Sequence, residues 1–515
     1  PKNFLVCPHL TAQRAECQSV SCILCMKKIA FLTADANYAN YLQRNLQNSR
    51  ISAMINRNSP EYEKETVILA QIDLTTGSIP KTLLRFAFPM ICGNLLQQLY
   101  NIADTLIVGR VLGSDALAAV GSAYTLMTFL TSIFLGLSIG AGALYAICQG
   151  SGQSRQLRQG VFHGLVLILL ATLAVSGVVY GGLGAILAFL QVPEELRDLM
   201  GEYLVVIFGG LLATSLYNFF ACLLRAVGNS TVPLVFLAVS AVMNIGLDLW
   251  FVAGLSLGIR GAAIATVVSQ YVSGVGITAY VCLHCRGLLP RRSELRLQRG
   301  MFREILSLSA LTCLQQSVMN FGILMVQGLV NSFGTEIMAA FAAAVKIDTF
   351  AYLPVQDFGN AYSTFVAQNY GARQLGRIQR GTQQAFAMSI CFSILISLGV
   401  CIFAEPLMGI FVKAEEAGVI AAGAAYLRIE GACYMGIGCL FLLYGYYRAV
   451  KRPGMSVVLT VISLGTRVAL AYGLSAVMGV TGIWLSIPIG WALADAVGLS
   501  YMPRTGKRLR QEAGR

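Results

Sequence analysis

Long apolar segments separated by short polar turns make up the chain from Pro80 onward. Each segment is apolar over about twenty residues or more, the length that a helix needs to cross a bilayer, and lacks the period-2 alternation of a barrel strand. The pattern therefore predicts an all-α polytopic membrane protein with twelve transmembrane helices. We expect them at about 81–109, 116–147, 160–190, 198–224, 231–253, 261–285, 302–331, 336–367, 379–411, 417–447, 454–478 and 480–502.

Composition agrees with a membrane protein, because 56% of the residues are hydrophobic and 12% are charged, against roughly 25% charged residues in soluble domains. The net charge of +13 could indicate a nucleic-acid partner, but arginine and lysine cluster in alternate turns. By the positive-inside rule, these turns and both termini are predicted to be cytoplasmic. We therefore expect a multi-pass protein of the cell (inner or plasma) membrane, with the lipid bilayer rather than nucleic acid as its partner. The basic turns lie at 155–158, 225, 286–303, 373–380 and 448–452.

The two halves of this membrane region repeat each other. Gly113 and Gly334 are 221 residues apart, and the Arg-Ala-Val triplets at 225–227 and 448–450 are 223 residues apart. Each repeat holds six predicted spans, so the repeats have the same orientation, and two parallel six-helix repeats with a site between them are a transporter design. The predicted division is a leader at 1–77, an amino-terminal lobe at 78–285, a basic cytoplasmic linker at 286–300, a carboxy-terminal lobe at 301–502 and a basic cytoplasmic tail at 503–515.

The leader is polar, and we expect it to be disordered or mis-started and dispensable for transport. It contains an incomplete zinc pattern, because no second cysteine pair follows the first cluster. That cluster consists of Cys7, His9, Cys17, Cys22 and Cys25.

A polar stripe runs along the first predicted helix. Asn94, Gln97, Asn101 and Asp104 follow one another at spacings of 3, 4 and 3, which places them on one helix face. Such a face must contact protein or water instead of lipid, and an ionised carboxylate within the bilayer is costly. The amides could either join neighbouring helices through hydrogen bonds or take part in the function of the protein. For Asp104, the cost of burying a carboxylate favours a functional role.

A second polar group lies on the fifth and sixth spans. Asn244 and Asp248 are four residues apart and share a helix face, and Thr266 follows on the next span. Together with Asp104 they offer the hard oxygen ligands that suit Na⁺. If the two carboxylates converge, one of them would hold a proton instead. Either ion could couple this cluster to a gradient, and the repeat-equivalent positions Met325, Arg467 and Ala471 cannot reproduce it.

The second half carries other charges within its spans. Asp357 is predicted to line a substrate cavity, and Asp495 is expected to pair with Arg467. His163 and His284 lie near helix ends, where we expect an interfacial role. The complete predicted cavity set is Gln97, Met319, Met325, Lys346, Asp357 and Tyr362. The sequence contains no Walker loop and no hydrolytic or redox constellation, which predicts a protein that is not an enzyme and needs no cofactor besides a coupling ion.

Four stretches resemble the multidrug and toxic compound extrusion (MATE) family over about 78–502. They are "IPKTLLRFAFPMICGNLLQQLYNIADTLIVGRVLGSDALAAVG", "LRAVGNSTVPLVFLAVSAVMNIGLDLWFV", "GIRGAAIATVVSQ" and "AQNYGARQLGRIQRG". The resemblance implies two six-helix lobes arranged as a V, and export of amphipathic cations, here small-molecule lipophilic cations, in exchange for Na⁺ or H⁺. A prokaryotic branch of the family has an amino-lobe cation site that matches Asp104, Asn244, Asp248 and Thr266, and family tyrosines match Tyr100 and Tyr203. Asn101 completes the predicted cation-coupling set.

Two departures and two alternatives remain. Another branch of the family relies on acids of helices 7 and 10, but helix 7 has no mid-membrane acid here and Glu430 on helix 10 is not clearly equivalent. A lipid-linked saccharide flippase of the wider superfamily would require a strongly basic cavity. A non-transporting receptor or scaffold would not need duplicated halves with buried acids. We expect a monomer.

Overall fold

The structure, a computed structural model, describes residues 71–189, 194–413 and 415–513. The leader and its cysteines up to residue 70 lie outside the described residues. The amino half holds eight helices, of which α7 continues into a π-helical segment at Leu249–Gly254. Their bounds are α1 Ile79–Leu112, α2 Ser114–Gly150, α3 Ser154–Gly181, α4 Leu183–Phe189, α5 Glu194–Phe208, α6 Leu211–Ala226, α7 Thr231–Asp248 and α8 Gly258–His284.

The carboxy half follows two short 3₁₀ turns, Arg286–Leu288 and Arg292–Glu294, and again holds eight helices. Their bounds are α9 Arg299–Asn331, α10 Thr335–Gly371, α11 Leu375–Ile402, α12 Ala404–Met408, α13 Ala417–Gly431, α14 Tyr434–Ala449, α15 Pro453–Met478 and α16 Val480–Ala513. The predicted repeat reappears in these bounds. Helices α2 and α10 both have 37 residues, and α3 and α11 both have 28. The short helices α4 and α12 occupy the same place in each half.

Up to eleven helical segments among the described residues are long and apolar enough to span a membrane, and α1 is a twelfth helix of sufficient length. Nine single helices are long and apolar enough to cross a bilayer, and two bent pairs, Arg197–Phe208 with Leu211–Ala226 (45°) and Ala417–Gly431 with Tyr434–Ala449 (51°), each make one further span. Helix α1 has 34 residues and is long enough to cross a bilayer, but its polar stripe makes it less apolar than the other spans. The predicted all-α class with twelve spans is confirmed.

Helices α2 and α9 join the two halves through small residues. A methyl group added at Gly136 or Gly140 would lie 2.5 Å from the Cα atom of Cys313 or Ser309, so only glycine permits this approach. The Ser309 hydroxyl donates a hydrogen bond to the Leu137 carbonyl across the same contact (2.9 Å). Such close backbone packing is a main source of helix association in lipid, where hydrophobic burial contributes little between spans.

A short segment before α1, Gln71–Ser78, binds both halves at the end of the molecule where α2 and α10 terminate. The Ile72 N–H donates to the Gly228 carbonyl of the amino half (2.9 Å). Arg377 of the carboxy half donates to the carbonyls of Leu74, Thr76 and Gly77, and the Leu74 side chain is fully buried. The last residues of the predicted polar leader are therefore ordered and belong to the membrane region, because their backbone groups pair with both halves.

The segment between α8 and α9 is fixed by an ion pair. The Arg158 guanidinium donates two hydrogen bonds to the Glu294 carboxylate (2.8 and 2.9 Å), and these bonds hold the pKa of Glu294 at about 2, below its usual 4.5. Nearby, the buried His163 ring accepts the Gln298 backbone N–H through Nε2 (2.8 Å) while Nδ1 faces the Gln159 carbonyl. His163 therefore attaches the segment to α3.

Candidate functional site

A cavity of about 450 Å³ lies between the two halves. Helices α1, α2 and α5 to α8 supply one wall, and α9, α10 and α14 supply the other. Four charged residues line it, two of them acids and two of them arginines: Asp104, Asp357, Arg225 and Arg448. Amides, hydroxyls and tyrosine rings fill most of the remaining lining, so the cavity is amphipathic and close to charge-balanced.

The predicted amino-half residues converge on one wall of this cavity. Asp104 and Asp248 approach each other within hydrogen-bonding reach, and Tyr100 and Tyr203 lie beside both carboxyl groups. Asp248 is fully buried at the end of α7, where the helix changes to its π-helical segment. Such local widening of a helix is frequent at functional sites because it redirects side chains.

The other residues of the predicted cation-coupling set, Asn244, Thr266 and Asn101, add further oxygen atoms to this region. The Asn244 amide donates to the Thr266 hydroxyl (3.4 Å), while Asn101 donates to Gln98 on its own helix (3.3 Å). Among the described residues, no donor reaches Asn244 Oδ1, either oxygen of Asp248, or Oδ1 of Asp104. These orphaned acceptors, together with the Thr266 hydroxyl, fit the ligand set that a hard monovalent cation prefers, and a proton shared between the carboxyls would also satisfy part of them.

The predicted substrate-cavity set divides into two groups. Gln97, Met319 and Asp357 line the cavity as expected, and the Asn94 amide bonds Asp357 Oδ1 across the two halves (2.6 Å). The other three predicted residues do not reach the lining. They are Met325, Lys346 and Tyr362.

The geometry of the helices explains why these three residues lie outside the cavity lining. Met325 is six residues beyond Met319, which turns it to the other side of α9, and its side chain is 39% exposed. Tyr362 is fully buried within the carboxy half, where its hydroxyl bonds Thr382 (2.6 Å). Lys346 lies two helical turns before the lining residue Leu353.

The two arginines in the lining did not figure among the predicted site residues. Arg448 is 4% exposed, and its guanidinium donates to Asn360 Oδ1 (3.0 Å) and Ser363 Oγ (3.3 Å) of α10. Arg225 approaches from α6, and both arginines lie beside Cys222. The Arg-Ala-Val repeat was the available signal, because equivalent residues near a repeat interface meet each other.

A second buried charged cluster lies within the carboxy half and away from the cavity lining. It contains Asp348 of α10, Glu430 of α13 and Arg467 of α15, each at most 9% exposed. Arg467 faces both acids. The expected Asp495–Arg467 pair is wrong, because the described residues show no ion pair between them, and Arg467 acts electrostatically on the other two carboxyls.

Comparisons with known proteins agree with this architecture. A family model described as MatE matches residues 89–250 and 309–473, one match in each half. The "Probable multidrug resistance protein YpnP" of Bacillus subtilis is 28% identical over 435 residues, which is 83% of this chain and 96% of that protein. The "FAD transporter" of Shewanella oneidensis is 23% identical over 427 residues, or 81% and 92% of the two chains.

Solved structures share the fold. The structure titled "Crystal structure of MATE in the bent conformation" superposes with a TM-score of 0.80 at 22% identity, covering 86% of this chain and 99% of that one. Identity at this level supports the fold, while the arrangement of the site must be judged on the residues themselves.

Proposed function

Because the chain belongs to the MATE family of membrane transporters, we propose that it is a secondary active multidrug efflux transporter driven by H⁺ or Na⁺ antiport. The observation that carries this proposal is the pair Asp104 and Asp248, whose buried oxygens lack donors among the described residues; Asp104 lines the cavity between the two halves, and Asp248 is buried behind it. A cation bound there would neutralise charge in one state of the cycle and be released in another. The relative named a multidrug resistance protein supports the same activity.

The coupling step follows from electrostatics. Two carboxylates that approach each other in a poorly hydrated wall repel, so a proton or a Na⁺ ion between them stabilises that arrangement strongly. Asp104 belongs to the long helix α1 and Asp248 to the end of α7, so binding an ion draws two helices together and release allows them to separate. Tyr100 and Tyr203 limit the access of water to the pair.

Amphipathic compounds, including lipophilic cations, suit the rest of the cavity. Asp104 and Asp357 supply negative charge, and the ring faces of Tyr124, Tyr352 and Phe441 can bind cationic groups. A lipid-linked saccharide flippase would require a strongly basic cavity, and two acids offset the two arginines here. We therefore favour drug efflux, with the basic turns facing the cytoplasm.

Ethidium efflux from proteoliposomes tests this function directly. An imposed proton or Na⁺ gradient should accelerate ethidium movement in protein-containing vesicles, and one of the two gradients should suffice. Vesicles prepared without protein provide the control for passive leak. If neither gradient moves ethidium or any other amphipathic dye faster than that leak, the transporter assignment is refuted.

A further inference from the structure

At the floor of the cavity two arginines accompany one acid, Asp357, and neither arginine forms an ion pair with a carboxylate of the described residues. Arg448 is almost completely buried, and its guanidinium donates hydrogen bonds to a neutral amide and a neutral hydroxyl, those of Asn360 and Ser363. Within the described residues, no carboxylate lies within ion-pair distance of this guanidinium. A buried charge without a counter-ion is unfavourable, so this residue calls for a functional explanation.

Arg225 increases the positive charge at the same place. Its side chain lines the cavity, and its Nε atom has no hydrogen-bond acceptor among the described residues. Arg225 and Arg448 are both near enough to the Cys222 thiol to act on it electrostatically. Asp357 is near Arg225, but its Oδ1 already accepts the Asn94 amide and no ion pair is formed. The single nearby acid therefore cannot neutralise both guanidinium groups.

The duplication explains why two like charges meet. Arg225 and Arg448 are the same position of the repeat, and each stands one residue before the end of its helix, α6 or α14. Equivalent helix ends of parallel repeats face each other where the halves join, and here the Gln368 amide donates to the Ala226 carbonyl across that junction (2.7 Å). The convergence is thus built into the fold and opens onto the cavity.

We propose that Arg448 and Arg225 form a subsite for an anionic group, a carboxylate or a phosphate, of the transported compound. Guanidinium groups bind both anions through paired, charge-assisted hydrogen bonds. This inference rests on the proposed transport function and narrows the substrate class to amphipathic molecules that carry an anionic group at one end. Their aromatic or cationic part lies along the wall that contains Asp104.

A matched pair of dyes tests the subsite. Rhodamine 110 carries a free carboxylate, and rhodamine 123 is its methyl ester, so they differ in the group that the arginines would bind. We would measure gradient-driven transport of both dyes, and their binding to the detergent-solubilised protein by fluorescence polarisation. The ratio of carboxylate to ester, for both readouts, should fall about tenfold in Arg448→Gln and less in Arg225→Gln. Arg448→Lys should retain part of the preference because it keeps the charge but loses the planar fork.

Arg428→Gln is the matched control. This arginine is exposed and pairs with Glu405 away from the cavity (2.8 Å), so the ratio should stay at the wild-type value. If Arg448 serves only to hold α14 against α10, its loss will reduce transport of both dyes equally and lower the melting temperature, and the subsite is refuted. Transport of neither dye by the wild type would instead count against the proposed function.

A lipid headgroup could supply the same anionic chemistry. Short-chain dihexanoylphosphatidylglycerol should therefore be added to the detergent binding assay. Rhodamine 110 that stays bound in its presence supports a site for the transported compound. Displacement of the dye from wild type but not from Arg448→Gln would assign the arginines to lipid and overturn the proposal.

Discussion

Two buried clusters occupy corresponding places in the two halves of the protein, yet they differ in charge. Tyr203 in the amino half corresponds to Tyr426 in the carboxy half, and Asn244 corresponds to Arg467, each pair 223 residues apart. In the amino half, two carboxyls face each other beside a neutral amide. In the carboxy half, Asp348 and Glu430 face the guanidinium of Arg467.

Under the proposed function, this difference would let the amino-half cluster exchange an ion while the carboxy-half cluster does not. The guanidinium of Arg467 lies near the two carboxy-half acids and partly offsets their charge, and the cluster lies outside the cavity lining. Among the described residues, the amino-half acids have no arginine or lysine in ion-pair contact, and one of them, Asp104, lines the cavity. We therefore expect the carboxy-half cluster to stabilise the fold and the amino-half cluster to respond to ions.

The largest effect should come from removing the attached cation. Arg467→Met leaves two buried acids without compensation, which we expect to lower the free energy of unfolding by about 3–5 kcal/mol. Melting of the detergent-solubilised protein measures this loss. Adding Asp348→Asn and Glu430→Gln should restore most of the stability, because a neutral cluster has no charge to compensate. A single Arg467→Met variant as stable as wild type would contradict the stabilising role.

Removing titration from the amino-half cluster should instead affect transport. We expect Asp104→Asn to reduce gradient-driven efflux per folded molecule by about 5- to 150-fold, which corresponds to a typical coupling free energy of about 1–3 kcal/mol. The melting temperature should change little. Glu430→Gln removes a carboxyl from the other cluster and should keep the response to the gradient. Normal coupled efflux by Asp104→Asn would show that the amino-half cluster is not the coupling site.

The two clusters can also be made alike. Asn244→Arg places a guanidinium beside Asp104 and Asp248, as Arg467 stands beside its acids, and should weaken the dependence of efflux on the gradient by about fivefold. Asn244→Met has a long neutral side chain and controls for the change in volume. Equal effects of the two substitutions would mean that packing, and not an attached cation, disturbs the site.

The smallest effect on transport is expected for an acid outside both clusters, Glu294. The Arg158 guanidinium lowers the pKa of Glu294 from 4.5 to about 2, so its contribution to stability is complete above about pH 4.5 and is lost as the pH falls through about 2. Glu294→Gln should therefore cost about 1–3 kcal/mol of stability equally at pH 5 and pH 8. The pH profile of transport should keep its shape, and a shifted profile would show that this ion pair takes part in coupling.

The sequence alone predicted the fold because apolar length, turn charge and repeat spacing are all local signals. Helix periodicity placed Asn244 and Asp248 on one face, and the family resemblance grouped them with Asp104 and Thr266 of two other helices. Contacts between helices were harder to predict. Asp495 and Arg467 lie on consecutive spans, yet Arg467 faces α10 and α13 instead.

The floor of the cavity was missed for a related reason. Arg225 and Arg448 were interpreted as markers of cytoplasmic turns, which their positions at helix ends justified. Their side chains nevertheless point into the cavity, because the two helix ends meet where the halves join. The orientation of the spans in the membrane can be predicted from the charges of the turns. The meeting of two arginines from different repeats depends on the tertiary structure.

The polar stripe of α1 has a consequence for the synthesis of the protein in the membrane. An aspartate makes the insertion of a membrane helix less favourable, by about 2.5–3.5 kcal/mol at the helix centre and less towards the ends, and α1 is less apolar than the other described spans. Only Gly113 separates it from α2, which is strongly apolar along most of its length. Helix α1 is therefore expected to depend on α2 for stable entry into the bilayer, so that the two insert as a hairpin.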